Sequence, residues 1–263
     1  MIILCIDGLE YELVLKWGLR NLLQETYGTY PVDTRYNSIQ LWSSFLTGYP
    51  PYMFERYFVV RPFNLHKRRI PNFLKAIGRK FIPLKSPSVR GRYETFLDVV
   101  KPSKAINMFA YNEDRYQLRL RYRYSLLKSN IIRYTISKRK TLAWIWIKWT
   151  RSLIDKLFKA LDENQYKLVL IHFYHTDYIG HILYGSSLHR KSYEIMDNLI
   201  PRLEKYNQLI LVVSDHGMKD GVHTDHGFYS LNTSTRWKPL SISDFHNFII
   251  EVNEKYPRVS YYV

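Results

Sequence analysis

Short apolar segments that end close to acidic residues or histidines restrict the fold of this chain more than any other feature. Three of them, Ile2–Ile6, Leu168–Phe173 and 209–213, have the length and unbroken hydrophobicity of strands buried on both faces. Amphipathic stretches separate them, and strands that alternate with helices favour a mostly parallel sheet covered by helices on both faces. In such sheets ligands bind beyond the carboxyl ends of the strands, so we expect the functional site at that edge.

The rest of the pattern completes an α/β architecture. Apolar residues at helical spacing predict helices over 10–25, 38–46, 141–161, 187–205 and 242–256. Further short strands are predicted at 105–110 and 227–231. Gly28 and Pro31 predict a loop, and the alternation over 118–124 fits either a strand or a helix.

Positive charge is concentrated in one part of the chain. Residues 51–150 contain 23 Lys and Arg against 5 Asp and Glu, whereas the other residues contain 16 against 18. We therefore predict one α/β domain over 1–263 that carries a basic, aromatic-rich insert or cap at 52–150. Basic residues interleaved with aromatic ones suit nucleic acid or another polyanion, and they also suit an anionic membrane surface or an ordinary solvated face.

The single cysteine, Cys5, excludes a disulfide framework and a cysteine-based zinc cluster, and it favours a reducing compartment such as the cytoplasm. No apolar run reaches the roughly 18 residues of a membrane-spanning helix, so none is expected.

The predicted strand ends bring together carboxylates and imidazoles. The set consists of Asp7, Asp177, His181, Asp215, His216 and His223. Mixed oxygen and nitrogen ligands suit zinc, with manganese or iron as alternatives. Clustering three carboxylates without cations would be costly, and two divalent ions could activate a nucleophile and clamp a phosphoryl group.

Five segments, in their order and spacing, give the chain a family resemblance. They are 2–8 (IILCIDG), the stretch from Ser38 to Thr47-Gly48, 176–181 (TDYIGH), 213–218 (VSDHGM) and 223–228 (HTDHGF). The chain resembles the alkaline phosphatase superfamily, specifically its type I phosphodiesterase/nucleotide pyrophosphatase branch, over about residues 1–50 and 165–232.

The resemblance implies a role for each ligand. Asp7, Asp215 and His216 would hold one metal ion together with the nucleophile. The second ion would be held by Asp177, His181 and a late histidine. That histidine is His223 by the spacing to Gly227, with His226 as the second choice. His172 and His175 are interpreted as packing or as supporting the ligands.

The nucleophile implied by the resemblance is Ser38, nine residues before Thr47. A hydroxyl at the start of a helix lies beside free N–H groups, where a phosphate also binds well. A simple N-cap is the alternative role of Ser38, Thr34 and Ser43 are the alternative nucleophiles, and Asn37 is a weak candidate for phosphate binding.

The sequence therefore predicts a two-metal hydrolase of phosphate esters, favouring phosphodiester or nucleotide substrates. Two alternatives stay open: an inactive polyanion-binding or nucleic-acid-binding protein on the same fold, and a phosphotransferase like the cofactor-independent phosphoglycerate mutases. An enzyme at a membrane surface, contacting it through Trp144 and Trp146, is a further possibility. The abundance of Tyr, Ile, Lys and Arg suggests an archaeal thermophile or a virus of one as the source.

Overall fold

A computed structural model describes residues 1–55, 88–113 and 136–255 of the chain. Within them, six strands form the central sheet in the order β2-β8-β5-β1-β4-β3. The strands are β1 (Ile2–Ile6), β2 (Thr26–Pro31), β3 (Ser103–Ile106), β4 (Leu168–Phe173), β5 (Ile210–Val213) and β8 (His226–Leu231). A short hairpin beside the sheet pairs β6 (Met218–Lys219) with β7 (Val222–His223).

The strand β1 lies between β4 and β5 and pairs in parallel with both, while β3 extends the parallel part beyond β4. On the other side β8 and β2 add an antiparallel edge. Side chains of β1 alternate between two cores: Ile3 and Cys5 face one hydrophobic cluster, and the other apolar residues of the strand face a second. The sheet is therefore packed on both faces, and the predicted α/β architecture is confirmed.

Helices cover these two faces. They are α1 (Tyr11–Lys16), α2 (Ser38–Thr47), α3 (Phe96–Val99), α4 (Ile136–Asp162), α5 (His175–Leu183), α6 (Ser187–Asp197), α7 (Ile200–Glu204) and α8 (Asp244–Lys255), with a 3-10 turn at Pro51–Phe54. Among the described residues, no helix is both long and apolar enough to cross a membrane.

Four details of the predicted secondary structure are wrong. The strand expected over 105–110 is β3, which ends at Ile106, because the chain turns at Asn107 with a φ of 56°. The helix expected over 10–25 ends at Lys16, because the chain turns at Gly18 with a φ of 67°. The loop expected around Gly28 and Pro31 is strand β2, which pairs with β8 along its whole length. The helix expected over 187–205 is split into α6 and α7, and Pro201 lies in the first turn of α7.

The basic stretch at 52–150 is described only in part. Strand β3 and the first half of α4 belong to it, and both are built into the sheet and its helical layer. Most of its positive charge, and the alternation at 118–124, lie outside the described residues. The insert or cap stays a prediction.

Candidate metal centre

The carboxyl ends of the three neighbouring strands β4, β1 and β5 converge on one place. Asp7 directly follows β1, and its backbone N–H donates to the carbonyl of Phe173 at the end of β4, at 2.9 Å. Asp215 and His216 follow β5. The helix α5 starts immediately after β4, which brings its first turn and Asp177 to the same edge.

One group of ligand atoms is already close-packed. Asp177 Oδ1 lies 3.2 Å from His181 Nε2 and 3.3 Å from His223 Nε2. The two imidazole nitrogens are 3.0 Å apart. Asp177 and His181 share a face of α5 because they are four residues apart, and the β6–β7 hairpin supplies His223. All three ligand atoms lie within 4.8 Å of one another, a separation that one metal ion can span.

The hydrogen bonds of two histidines fix the neutral tautomer that can bind a cation through Nε2. His181 Nδ1 lies 2.7 Å from the carbonyl oxygen of Gly221, and His216 Nδ1 lies 3.0 Å from that of Gly217. A carbonyl can only accept, so each Nδ1 carries the proton and donates it. In the neutral imidazole the lone pair is then on Nε2, the atom that faces the carboxylates.

A second group lies next to the first. His216 Nε2 is 3.4 Å from Asp215 Oδ2 and 3.3 Å from the Oγ of Ser38. The ring of His216 stacks on that of His223, with the centroids 3.7 Å apart. The two groups are therefore joined through a pair of stacked histidines, and Asp7 lies close enough to the second group for its charge to act on Asp215.

The two groups differ in electrostatics. Burial, followed by the negative charge of Asp7, raises the pKa of Asp215 to about 7. Among the described residues, neither buried carboxylate oxygen of Asp215 has a hydrogen bond, although His216 and the Ser38 side chain act to lower this pKa. Burial also acts to raise the pKa of Asp177, but contacts with His181 and His223 outweigh it and hold that pKa well below its usual range.

Ser38 is not the N-cap of α2, which was the alternative to its role as nucleophile. Asn37 is the N-cap of α2, and its side-chain oxygen accepts from the backbone N–H groups of Ile39 and Gln40. Ser38 is thus the first residue inside the helix, with its hydroxyl directed at His216. The alternative nucleophile Ser43 donates its hydroxyl to the carbonyl of Ile39 and is buried, and Thr34 lies exposed in the preceding turn.

The sequence reading missed Trp42, which holds Asp7. Its indole Nε1 donates to Asp7 Oδ1 at 2.6 Å, and His172 Nε2 donates to the same oxygen at 2.7 Å. Trp42 follows Ser38 by four residues, so one face of α2 carries both the hydroxyl and the Asp7 contact. This four-residue spacing from Ser38 is the one sequence feature that could have indicated the role of Trp42. The supporting role expected for His172 agrees with this contact, whereas His175 bonds the carbonyl of Ser192.

Close backbone approach joins the loops that carry the ligands. A Cβ on Gly8 would lie 2.9 Å from the Cα of Asp177, and Gly8 has a φ of 67°. The neighbouring Thr176 hydroxyl donates to the carbonyl of Asp7. A glycine after Asp7 therefore allows the loop after β1 to lie against the start of α5.

Of the two late histidines, His223 lies with Asp177 and His181, and His226 does not. His226 Nε2 is 2.9 Å from Glu10 Oε1, and this contact raises the pKa of His226. Glu10 is a second residue that the sequence reading missed: only 2% of it is exposed, although it lies in a loop.

The residues present fit divalent cations. Two imidazoles direct Nε2 lone pairs inward, three carboxylates gather at one edge of the sheet, and the buried Asp215 oxygens have no hydrogen bond within the described part of the chain. An ionised carboxylate that is buried without hydrogen bonds is stabilised by a nearby positive charge. Oxygen and nitrogen donors of this kind suit zinc, manganese or iron.

Comparison with known proteins agrees with this geometry. The model of one family, Type I phosphodiesterase / nucleotide pyrophosphatase, matches residues 97–259, more than half of the chain. The match includes α5, the loop after β5 and the hairpin, and it extends into the basic stretch, while Asp7 and Ser38 precede it. A search of curated proteins found no match. The family is metal-dependent and belongs to the alkaline phosphatase superfamily. The chain is a member of the type I phosphodiesterase/nucleotide pyrophosphatase family of phosphoester hydrolases.

Proposed function

We propose that this protein hydrolyses phosphodiesters, with Ser38 as the nucleophile and two divalent ions, zinc by preference. The observation that carries the proposal is the position of the Ser38 hydroxyl. It stands at the N-terminus of the ten-residue helix α2, 3.3 Å from His216 Nε2 and beside the buried Asp215. The N-terminus of a helix attracts a phosphate through its N–H groups and dipole.

The ligand groups divide between the two ions. Asp7, Ser38, Asp215 and His216 would hold one, and Asp177, His181 and His223 the other. When bound, such ions lower the pKa of a coordinated hydroxyl and stabilise the charge that develops on the phosphoryl oxygens. The stacked rings of His216 and His223 set the two groups side by side.

The chain's own residues then serve two steps. Ser38 Oγ attacks phosphorus, so the Oγ–P bond forms while the bond to the leaving alcohol or phosphate breaks. The hydroxyl proton leaves toward a carboxylate oxygen of the neighbouring Asp215. A water molecule next hydrolyses the phosphoserine, which frees Ser38 and releases the phosphomonoester.

The experiment is turnover of bis-p-nitrophenyl phosphate and p-nitrophenyl phosphate by metal-stripped protein refilled with zinc or manganese. We expect metal-dependent turnover that favours the diester. Ser38→Ala should lower it by about 10³-fold or more, as loss of a nucleophile does in other enzymes. Ser43→Ala, on the same helix but bonded to the carbonyl of Ile39, should keep it.

Other results would favour the alternatives. Full activity in Ser38→Ala would move the nucleophile to another residue. No turnover of either compound, with two ions bound, would favour a phosphotransferase of the mutase type. Absence of metal binding would leave a polyanion-binding protein.

We also propose that the outer face of the first half of α4 contacts a polyanionic substrate such as an oligonucleotide. Four Lys or Arg and no Asp or Glu occur over 136–149, and Trp144 is 48% exposed among them. This half of α4 adjoins the centre, because Trp146 stacks on Tyr178, the residue after Asp177. Lys148→Glu should raise KM for an oligonucleotide diester in a salt-dependent manner, and Lys159→Glu, near the far end of α4, should not.

A further inference from the structure

The ligand His223 is carried by a small hairpin rather than by the main sheet. In the part of the chain that the structure describes, the hairpin consists of β6 and β7, and each strand has two residues. Gly217 and Thr224 close it through a backbone hydrogen bond of 3.1 Å. A two-stranded hairpin of this size is not stable by itself, so the place of His223 depends on what holds its base.

Glu10 holds the base of this hairpin at two points. Its Oε2 accepts from the Thr224 hydroxyl at 3.1 Å, and its Oε1 lies 2.9 Å from His226 Nε2. The carboxylate enters a space left by Gly217, since a Cβ there would lie 2.1 Å from Oε2. Both contacts are made to residues that lie within three positions of His223 along the chain.

Glu10 is itself fixed to the loop that carries Asp7. Its backbone N–H donates to the hydroxyl of Tyr193 at 2.9 Å, and this hydroxyl donates to the carbonyl of Gly8 at 2.8 Å. Tyr193 is fully buried. A chain of short contacts therefore runs from Asp7, through Glu10, to the residues beside His223.

We infer that Glu10 is a positioning residue, which clamps Thr224 and His226 so that His223 stays against Asp177 and His181. Through Glu10 the loop of one ligand group sets the geometry of the other. The inference rests on the proposed function, since it gives that function's second ion a supporting residue. Residues that orient metal ligands typically change metal affinity by roughly 10-fold to 100-fold when they are replaced.

The test is a calorimetric titration of metal-stripped full-length protein with Zn²⁺, together with the visible spectrum of the Co²⁺ form. In Glu10→Gln we expect one of two binding steps to weaken by roughly 10-fold or more, with a changed Co²⁺ spectrum, while the other step is retained. The matched control is Glu12→Gln. Glu12 is exposed and approaches Lys219 of the same hairpin at 3.8 Å, so the same charge change there should leave both steps unaltered.

Thr224→Val keeps the inference testable if Glu10→Gln does not fold, as judged by circular dichroism. It removes one clamp contact without a charge change, and it should weaken the same step by a smaller factor. Two wild-type binding steps that neither variant changes would overturn this inference alone. A wild-type protein that binds no Zn²⁺ would overturn the proposed function and this inference with it.

Discussion

The two ligand groups of the candidate centre lie side by side but are assembled in different ways. Asp177 is flanked by two imidazoles, and the three ligand atoms lie within 4.8 Å of one another. In the other group His216 contacts Asp215, whereas Asp7 is held by His172 and Trp42, and so close a grouping of ligand atoms does not occur there among the described residues. One group has more histidines than carboxylates, and the other has the reverse.

This difference in composition accounts for the difference in electrostatics. Histidines around Asp177 favour its ionised form even though it is buried. In the other group the charge of Asp7 adds to the burial of Asp215 and disfavours ionisation. The first group is stable by itself, whereas the second holds unfavourable charge that a cation would relieve.

The sharpest test of the comparison is the stability of the metal-free protein in two variants. The pKa of Asp215 is raised to about 7, so between roughly pH 4 and 7 the folded state binds more protons than the unfolded state, and stability falls as pH rises. At pH 8 Asp215→Asn should therefore raise the free energy of unfolding by on the order of 4 kcal/mol.

Asp177→Asn should act in the opposite direction. The lowered pKa of Asp177 contributes stability that is present above its unfolded value and is lost only as pH falls through the folded value. Its loss should lower the free energy of unfolding at pH 8. Urea denaturation after chelation measures both changes. Asp225→Asn, whose side chain is 89% exposed, is the control, and shifts of the same sign in the two variants would contradict the comparison.

Gly8→Ala should disturb both groups at once, because the Asp7 loop and the start of α5 touch there. The alanine would take a left-handed φ of 67° and place its Cβ 2.9 Å from the Cα of Asp177. Gly18→Ala is a matched control, with the same φ and no atom of the described residues within 4 Å of the new Cβ. We expect about 1 kcal/mol of destabilisation in the control, from backbone strain alone, and a clearly larger loss in Gly8→Ala. Equal losses by thermal denaturation would show that the two loops can separate freely.

The two groups also differ in how much of each could be predicted from the sequence, because some of their contacts are local along the chain and others are not. Asp177 and His181 lie four residues apart on one helix, so local periodicity was sufficient to pair them. The choice between His223 and His226 depends on Glu10, more than two hundred residues away, and no local spacing expresses that contact. The predicted helix over 10–25 failed for a related reason. Leu19 and Leu22 are buried at helical spacing, but they reach the core from a turn after Gly18.

Trp42→Phe is the mildest of these substitutions, and we expect it to weaken metal binding in the Asp7 group alone. It keeps an aromatic ring and removes one hydrogen bond to Asp7, while the bond from His172 remains. Loss of a hydrogen bond to a charged group costs about 1.5–3 kcal/mol, so the Zn²⁺ binding step of the Asp7 group should weaken by roughly 10-fold or more. The step of the Asp177 group should not change. Trp146→Phe is the control, since the buried Nε1 of Trp146 has no hydrogen-bond partner in residues 1–55, 88–113 and 136–255. If Trp42→Phe weakened both steps equally, the two groups would bind metal as one unit, and their separate electrostatics would have no consequence for binding.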